Sequence, residues 1–146
     1  MKVLIIEDDD LKFSHISKHC KELLPTAKFK WKKSFQTGLN ELLDNEYDLI
    51  LLDMSMHIYE KSSEESGGSF ETYAGRMILS EIDINEIDTK VIVITGYDIY
   101  NDGKTLATLK EELRKEFGEF YLDTIYFIGK DEGWKAELDQ LIKKNF

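Results

Sequence analysis

The chain has 146 residues, a hydrophobic content of 42% and a formal net charge of −10. This length suits a single globular domain, residues 1–146, with no room for a second one. The acidic charge argues against nonspecific binding to nucleic acid or to an anionic membrane, and neither the first residues nor the single cysteine, Cys20, indicates export. We therefore expect a cytoplasmic protein that binds neither nucleic acid nor membrane.

The chain begins with an alternation of strands and helices. An apolar run at residues 2–6 predicts the first strand, and the acids Glu7 and Asp8 follow it. The first helix begins near residue 11, and Asp9 or Asp10 can be its N-cap, because a short carboxylate can accept from free amides of the first turn. Of the two we favour Asp10. Lysines alternating with aromatic residues then predict an edge strand, and a second helix follows it.

The most continuous apolar run, LILL, lies within residues 47–56. A short unbroken run of this kind is typical of a parallel strand that is buried on both faces. Asp53 ends this strand. The polar, glycine-rich segment 62–69 then has the composition of a mobile loop.

Two more strands are predicted in the second half of the chain, each followed by a helix. The strand at residues 90–95 ends at Thr95, and the strand at 124–128 is followed by Lys130. Five strands that alternate with five helices predict an α/β fold with a doubly wound parallel sheet, because parallel strands need helical crossovers.

Reactive side chains follow four of these strands at their carboxyl ends, where doubly wound sheets bind ligands: Glu7, Asp8, Asp53, Thr95 and Lys130. Three carboxylates repel one another unless a cation lies among them, and oxygen ligands of this kind suit Mg²⁺. A lysine and a hydroxyl beside them suit a phosphoryl group, with one carboxylate as the nucleophile. The sequence therefore predicts a magnesium-dependent site for phosphoryl transfer.

These motifs resemble those of the receiver domains of two-component response regulators. KVLIIEDD contains Glu7 and Asp8, YDLILLDMSM contains Asp53, VIVITG contains Thr95, and IYFIGK contains Lys130. The resemblance covers the whole chain and leaves no output domain. It implies a flavodoxin-like sheet whose five strands lie in the order 2-1-3-4-5.

The resemblance also implies how Mg²⁺ would be held. Asp53 would be the phosphoacceptor, and it would bind the metal together with Asp8 and the main-chain carbonyl of Ser55. Glu7 would act on the metal through a water molecule. Mg²⁺ is the only cofactor that we expect.

The remaining implied roles belong to Thr95 and Lys130, which would contact the phosphoryl group, and to Phe127, which matches the aromatic switch position. The implied activity is limited to self-phosphorylation from a phosphodonor and autodephosphorylation, so we do not expect a metabolic enzyme. The implied partners are a histidine kinase or phosphotransfer protein and an unnamed downstream protein. A homodimer is compatible with these expectations.

The chain departs from the family pattern in two connections. The segment from the third strand to the third helix and the segment from the fourth to the fifth strand are enlarged, so that the Asp53–Thr95 and Thr95–Lys130 spacings each exceed the family's usual ones by about a dozen residues. Two interpretations stay open: a phosphorylatable receiver, and a degenerate receiver that serves as a phosphorylation-independent interaction module. A phosphatase of the aspartyl-phosphate type is a weaker third, because DMSM lacks the second acid that such enzymes use.

Overall fold

The central feature of the fold is a five-stranded parallel sheet with the order β2-β1-β3-β6-β7. The computed structural model describes residues 1–60 and 68–146. In chain order its strands are β1 (Lys2–Ile6), β2 (Lys28–Lys32), β3 (Leu49–Leu52), β4 (Met56–His57), β5 (Phe70–Glu71), β6 (Lys90–Thr95) and β7 (Tyr121–Tyr126). Its helices are α1 (Asp10–Leu23), α2 (Phe35–Asp44), α3 (Ala74–Ile84), α4 (Leu106–Phe117) and α5 (Gly133–Asn145).

The predicted topology is confirmed, because β6 and β7 take the fourth and fifth places of the predicted order 2-1-3-4-5. The sequence did not predict the antiparallel hairpin of β4 and β5, whose strands have two residues each and therefore carry no detectable periodicity. The predicted mobile loop 62–69 lies, apart from its last two residues, outside the described part of the chain. None of the described helices combines the length and the apolar character needed to cross a membrane.

The last strand of the sheet lies at Tyr121–Tyr126, so the predicted range 124–128 was wrong at both ends. The polar residue Asp123 interrupts the apolar pattern of this segment. Its carboxylate lies 3.6 Å from Lys110 and 3.2 Å from Arg114, both on the neighbouring helix α4. The strand can therefore include Asp123, since the acid has partners that sequence alone does not show.

The N-cap of α1 is Asp9, one of the two predicted candidates, so the preference for Asp10 was wrong. The Asp9 carboxylate accepts a hydrogen bond of 2.8 Å from the main-chain amide of Lys12. Asp10 is the first helical residue, and its side chain instead pairs with Lys33 at 2.7 Å. Two adjacent acids offer the same capping chemistry, so the sequence alone does not decide between them.

Helices cover both faces of the sheet. α1 and α5 pack on one face and α2, α3 and α4 on the other, and all four residues of β3 lie between the two layers with at most 1% of their surface exposed. Full burial of each such side chain contributes about 1.5–3 kcal/mol. Cys20 is fully buried on the α1 side, as predicted, and burial raises the pKa of its thiol to about 12.

Helix α3 approaches the end of β3 closely at Gly75. The Gly75 amide donates to the carbonyl of Met54 at 2.8 Å. A Cβ atom at Gly75 would lie 2.5 Å from the carbonyl oxygen of Asp53 and 2.9 Å from the Cα of Met54. Glycine at this position therefore lets the helix rest directly on the main chain that carries Asp53.

We expect Gly75→Ala to destabilise the protein by about 1–3 kcal/mol, the usual cost of overpacking, although alanine has the higher helix propensity. Gly129→Ala is the matched control, because a Cβ there meets nothing within 4 Å. Chemical denaturation of both variants measures the free energy of unfolding. Equal stability of Gly75→Ala and wild type would show that α3 does not contact the strand this closely.

Candidate functional site

Three carboxylates meet at the carboxyl ends of β1 and β3. These strands are neighbours in the sheet, with Ile6 paired to Leu52, so the residues that follow them come together. One carboxylate oxygen from each of Glu7, Asp8 and Asp53 lies within 4.8 Å of the other two. The structure thus brings together the three acids that the sequence placed at this edge.

Burial makes two of these acids electrostatically unusual. Glu7 is 2% exposed and Asp53 is 6% exposed. Burial, and then the charge of Asp53, raises the pKa of Glu7 to about 9, against the opposing effect of Lys12. Burial likewise raises the pKa of Asp53, and Lys12 again opposes the shift. The site therefore resists carrying two negative charges unless a cation accompanies them.

Lys12 supplies a cation to this site, and the sequence analysis did not identify it. Its Nζ atom lies 2.7 Å from Glu7 Oε1 and 3.0 Å from Asp53 Oδ1, and it donates to the main-chain carbonyl of Ile94 at 2.7 Å. Its burial disfavours the ammonium, but the charges of Asp53 and Glu7 outweigh this and raise the pKa of Lys12. Lys12 is therefore held as an ammonium ion.

A pattern in the sequence could have revealed this lysine. Lys12, Ile16 and Cys20 are spaced four residues apart and are all buried, so Lys12 continues the apolar stripe of α1 at its first turn. A charged residue on a buried stripe needs a partner, and the acids of the preceding loop are within one turn of it.

Thr95 ends β6 and is fully buried. Its hydroxyl makes a hydrogen bond of 2.8 Å with the hydroxyl of Tyr100 and accepts another of 3.2 Å from the amide of Tyr97. Tyr100 is 4% exposed, and burial raises its pKa to about 12. The connection after β6 therefore folds back so that Tyr100 covers the threonine, a contact that the sequence analysis missed.

The connection after β3 contacts Asp8, the third acid of the cluster. The amide and the Nδ1 atom of His57 each lie 3.2 Å from Asp8 Oδ2. Ser55 is buried, and its hydroxyl donates to the main-chain carbonyl of Thr72 at 2.6 Å. The metal-ligand role of the Ser55 carbonyl stays a prediction.

Lys130 and Phe127 do not join this cluster. Lys130 is exposed in the turn between β7 and α5, and within the described residues it makes no ion pair with Asp53 or Glu7. Phe127 packs on the α1 and α5 side, with its ring centroid 5.2 Å from that of Trp134, and its amide donates to the Thr95 carbonyl at 2.8 Å. The roles that the resemblance gives these two residues stay predictions.

The donor set fits a small hard cation. Glu7, Asp8 and Asp53 offer carboxylate oxygens, which are the ligands that Mg²⁺ prefers, and a bound cation would offset the repulsion among them. Lys12 contacts one oxygen each of Glu7 and Asp53, so it neutralises part of the charge without contacting Asp8. The arrangement can bind a divalent metal and present the Asp53 carboxylate to an electrophile.

Comparison with known proteins gives relatives of nearly the same length. No protein-family model matches the chain. It is 26% identical over 144 residues to the Detocs response regulatory protein DtcB of Enterobacter cloacae, covering 94% of this chain and 95% of that protein. It is 25% identical over 144 residues to the uncharacterized protein y4jR of Sinorhizobium fredii, covering 94% of each.

Solved structures of receiver domains match almost the whole chain. The response regulator TrrA of Thermotoga maritima, solved in complex with Mg²⁺-BeF, has a TM-score of 0.60 and 16% identity, covering 96% of this chain and 97% of that one. The receiver domain of a DNA-binding response regulator from Colwellia psychrerythraea has a TM-score of 0.65 and 20% identity, covering 99% and 96%. The predicted resemblance is confirmed at the level of fold: this chain has the fold of a response-regulator receiver domain.

Proposed function

We propose that this chain is a phosphoacceptor receiver, in which Asp53 takes a phosphoryl group from a histidine kinase or phosphotransfer protein in the presence of Mg²⁺. The observation that carries the proposal is the cluster of Glu7, Asp8 and Asp53, with ligand oxygens within 4.8 Å of one another at the carboxyl ends of adjacent strands. The structural likeness to TrrA, which was solved with Mg²⁺-BeF, supports it.

Asp53 acts as the nucleophile in this proposal. One of its carboxylate oxygens attacks the phosphorus of the donor, and the bond from phosphorus to the donor breaks with its electron pair leaving on the donor. The product is an acyl phosphate on Asp53 together with the free donor. Bound Mg²⁺ would neutralise charge on the phosphoryl oxygens, and Asp8 and Glu7 would hold it beside Asp53.

Thr95 connects the phosphoryl group to the rest of the molecule. Its hydroxyl makes a hydrogen bond of 2.8 Å with the hydroxyl of Tyr100, in which either group can donate. Where Thr95 is the donor, its single O–H must leave Tyr100 in order to donate to a phosphoryl oxygen. Exchange of partners at Thr95 would release Tyr100 and the connection that carries it. The output of this receiver is then a phosphorylation-dependent protein interaction at the segment after β6.

The second candidate function is a degenerate receiver that binds its partner without phosphorylation. One observation favours it: Lys12 already lies 2.7 Å from Glu7 and 3.0 Å from Asp53, so these buried acids are partly neutralised without a metal. Acids held in this way can have a structural role. Measurements of metal binding and of phosphoryl transfer distinguish the degenerate receiver from the phosphoacceptor receiver.

Asp8→Asn should weaken Mg²⁺ binding, because it removes a charged ligand from the carboxylate cluster. Asp10→Asn is the matched control, since it removes the same charge from a neighbouring acid that pairs with Lys33 outside the cluster. Isothermal titration calorimetry measures both affinities. Equal affinity of wild type and Asp8→Asn would remove Asp8 from the metal site.

Incubation with acetyl phosphate and Mg²⁺ should add one phosphoryl group to the wild-type protein and none to Asp53→Asn, whose amide is a poor nucleophile. Asp83→Asn, a change at an exposed acid of α3, is the control and should be labelled like wild type. Intact mass spectrometry counts the groups. A wild-type protein that stays unmodified while a known receiver is labelled would favour the degenerate-receiver function.

Occupation of the site by beryllofluoride and Mg²⁺ should raise amide hydrogen exchange between residues 97 and 105, because Thr95 exchanges Tyr100 for the phosphoryl mimic. The expected coupling free energy between the occupied site and the segment 97–105 is about 1–3 kcal/mol. Strand β2 is separated from β6 by β1 and β3 in the sheet and serves as the internal control. Unchanged exchange at 97–105, with the mimic bound, would place the output elsewhere.

A further inference from the structure

Lys12 is the most unusual charged residue among those that the structure describes. It is 8% exposed, and its ammonium group has three acceptors at hydrogen-bond distance: Glu7 Oε1, Asp53 Oδ1 and the carbonyl oxygen of Ile94. An ammonium has three N–H donors, so each donor has a partner. These acceptors belong to or directly follow β1, β3 and β6, which are adjacent in the sheet. The nitrogen is therefore fixed in front of the proposed phosphoacceptor.

Lys130, the lysine that the family motif points to, is in a different environment. It follows β7 in a turn in which the amide of Asp131 donates to the carbonyl of Ile128 at 3.0 Å. Its side chain is exposed, and in the described ranges 1–60 and 68–146 no acid lies within ion-pair distance of it. Asp53 therefore has its lysine partner on α1 and not on the connection to α5.

We propose that Lys12 is the catalytic lysine of this site: its ammonium group neutralises the charge that passes from Asp53 to the phosphoryl oxygens during transfer, in the place that the family pattern gives to Lys130. This inference rests on the proposed phosphoacceptor function of Asp53. It names the residue that stabilises the transfer.

The geometry allows this role without a movement of the main chain. Lys12 contacts Asp53 at Oδ1. In transfer from acetyl phosphate, an Asp53 oxygen forms a bond to phosphorus, and the bond between phosphorus and the acetyl oxygen breaks with its electron pair leaving on acetate. No proton is transferred in this step. Because the Asp53 carboxylate loses its charge on becoming an acyl phosphate, the ammonium loses one partner and turns to the adjacent phosphoryl oxygens, which the flexible lysine stem permits.

A purely structural role for Lys12 makes a different prediction. Buried ion pairs add little net stability compared with apolar residues of similar size, whereas removal of only one partner leaves an uncompensated charge. If Lys12 only balances Glu7 and Asp53, replacing it by an apolar residue in a protein whose Glu7 is already neutralised should preserve the fold and leave the rate of that protein unchanged. If Lys12 stabilises transfer, the same replacement should preserve the fold and slow the reaction further.

The variant for this test is therefore the double substitution Glu7→Gln with Lys12→Met, which removes one negative and one positive charge together. Glu7→Gln alone is its reference, because the two proteins differ only at Lys12. Lys12→Met and Lys130→Met are measured as single variants. Lys18→Met, which removes an exposed lysine of the same helix, is the control for the loss of one positive charge.

The measurement is the rate at which acetyl phosphate and Mg²⁺ label Asp53, followed by intact mass spectrometry, with thermal unfolding as a check on the fold. We expect Lys12→Met, and the double variant relative to Glu7→Gln, to be labelled about 10²- to 10³-fold more slowly, the usual effect of removing one transition-state contact. Lys18→Met should be labelled like wild type, and Lys130→Met should be slowed much less than Lys12→Met. The affinity for beryllofluoride with Mg²⁺ should fall in the Lys12 variants, a loss that a merely structural lysine would not produce.

Two results would overturn the inference while the proposed function stands. In the first, wild type and the folded Lys12 variants are labelled at equal rates, or the Lys12 variants are labelled faster, which would show that Lys12 balances or blocks the site. In the second, Lys130→Met loses labelling and the double variant does not differ from Glu7→Gln. Absence of label on wild type, under conditions that label a known receiver, would overturn the proposed function and this inference with it.

Discussion

The site depends on one electrostatic constraint, the burial of two carboxylates at the ends of neighbouring strands. Glu7 and Asp53 are nearly inaccessible to water, and burial raises the pKa of both. The ammonium of Lys12 meets this constraint by contacting both acids and the carbonyl of Ile94. A single side chain of α1 thus contacts residues of three adjacent strands or the residues that follow them, at the site of the proposed chemistry. The charge of the site therefore depends on the position of α1.

The two enlarged connections converge on the same edge of the sheet. The connection after β3 brings His57 to Asp8, and the connection after β6 brings Tyr100 to Thr95. The connections also contact each other, because the ring centroids of Tyr73 and Tyr100 are 5.3 Å apart and the Tyr73 hydroxyl donates to Asp102. A change at Thr95 can therefore reach both segments through packed aromatic rings, without a change in the sheet.

The close contact between α3 and β3 holds the main chain of Asp53, the proposed phosphoacceptor, in place. Asp53 is fixed from one side by its amide, which donates to the Ile6 carbonyl at 2.9 Å, and from the other by the approach of Gly75 to its own carbonyl. In the proposed function, such a fixed main chain keeps the Asp53 nucleophile in position relative to the acids around it. The part that moves in that proposal is the connection that carries Tyr100.

The sequence by itself determined the α/β class and the meeting of Glu7, Asp8, Asp53 and Thr95 at one edge. These follow from short apolar runs, because parallel strands with right-handed crossovers bring their carboxyl ends to the same edge of the sheet. The strand order came from the resemblance of the motifs to those of receiver domains. The limits of β7 were not determined, since the partners of Asp123 on α4 are remote from the pattern of the strand itself.

Only the tertiary structure decided which lysine reaches Asp53 and which hydroxyl covers Thr95. Lys12 lies 41 positions from Asp53 in sequence and reaches it because α1 packs on β1 and β3 and begins near their carboxyl ends. Lys130 belongs to a matching motif but lies in an exposed turn. The spacing of motifs predicts which residues follow the ends of the strands. The direction of a long side chain depends instead on helix packing and on the charges near it, and both exist only in the folded chain.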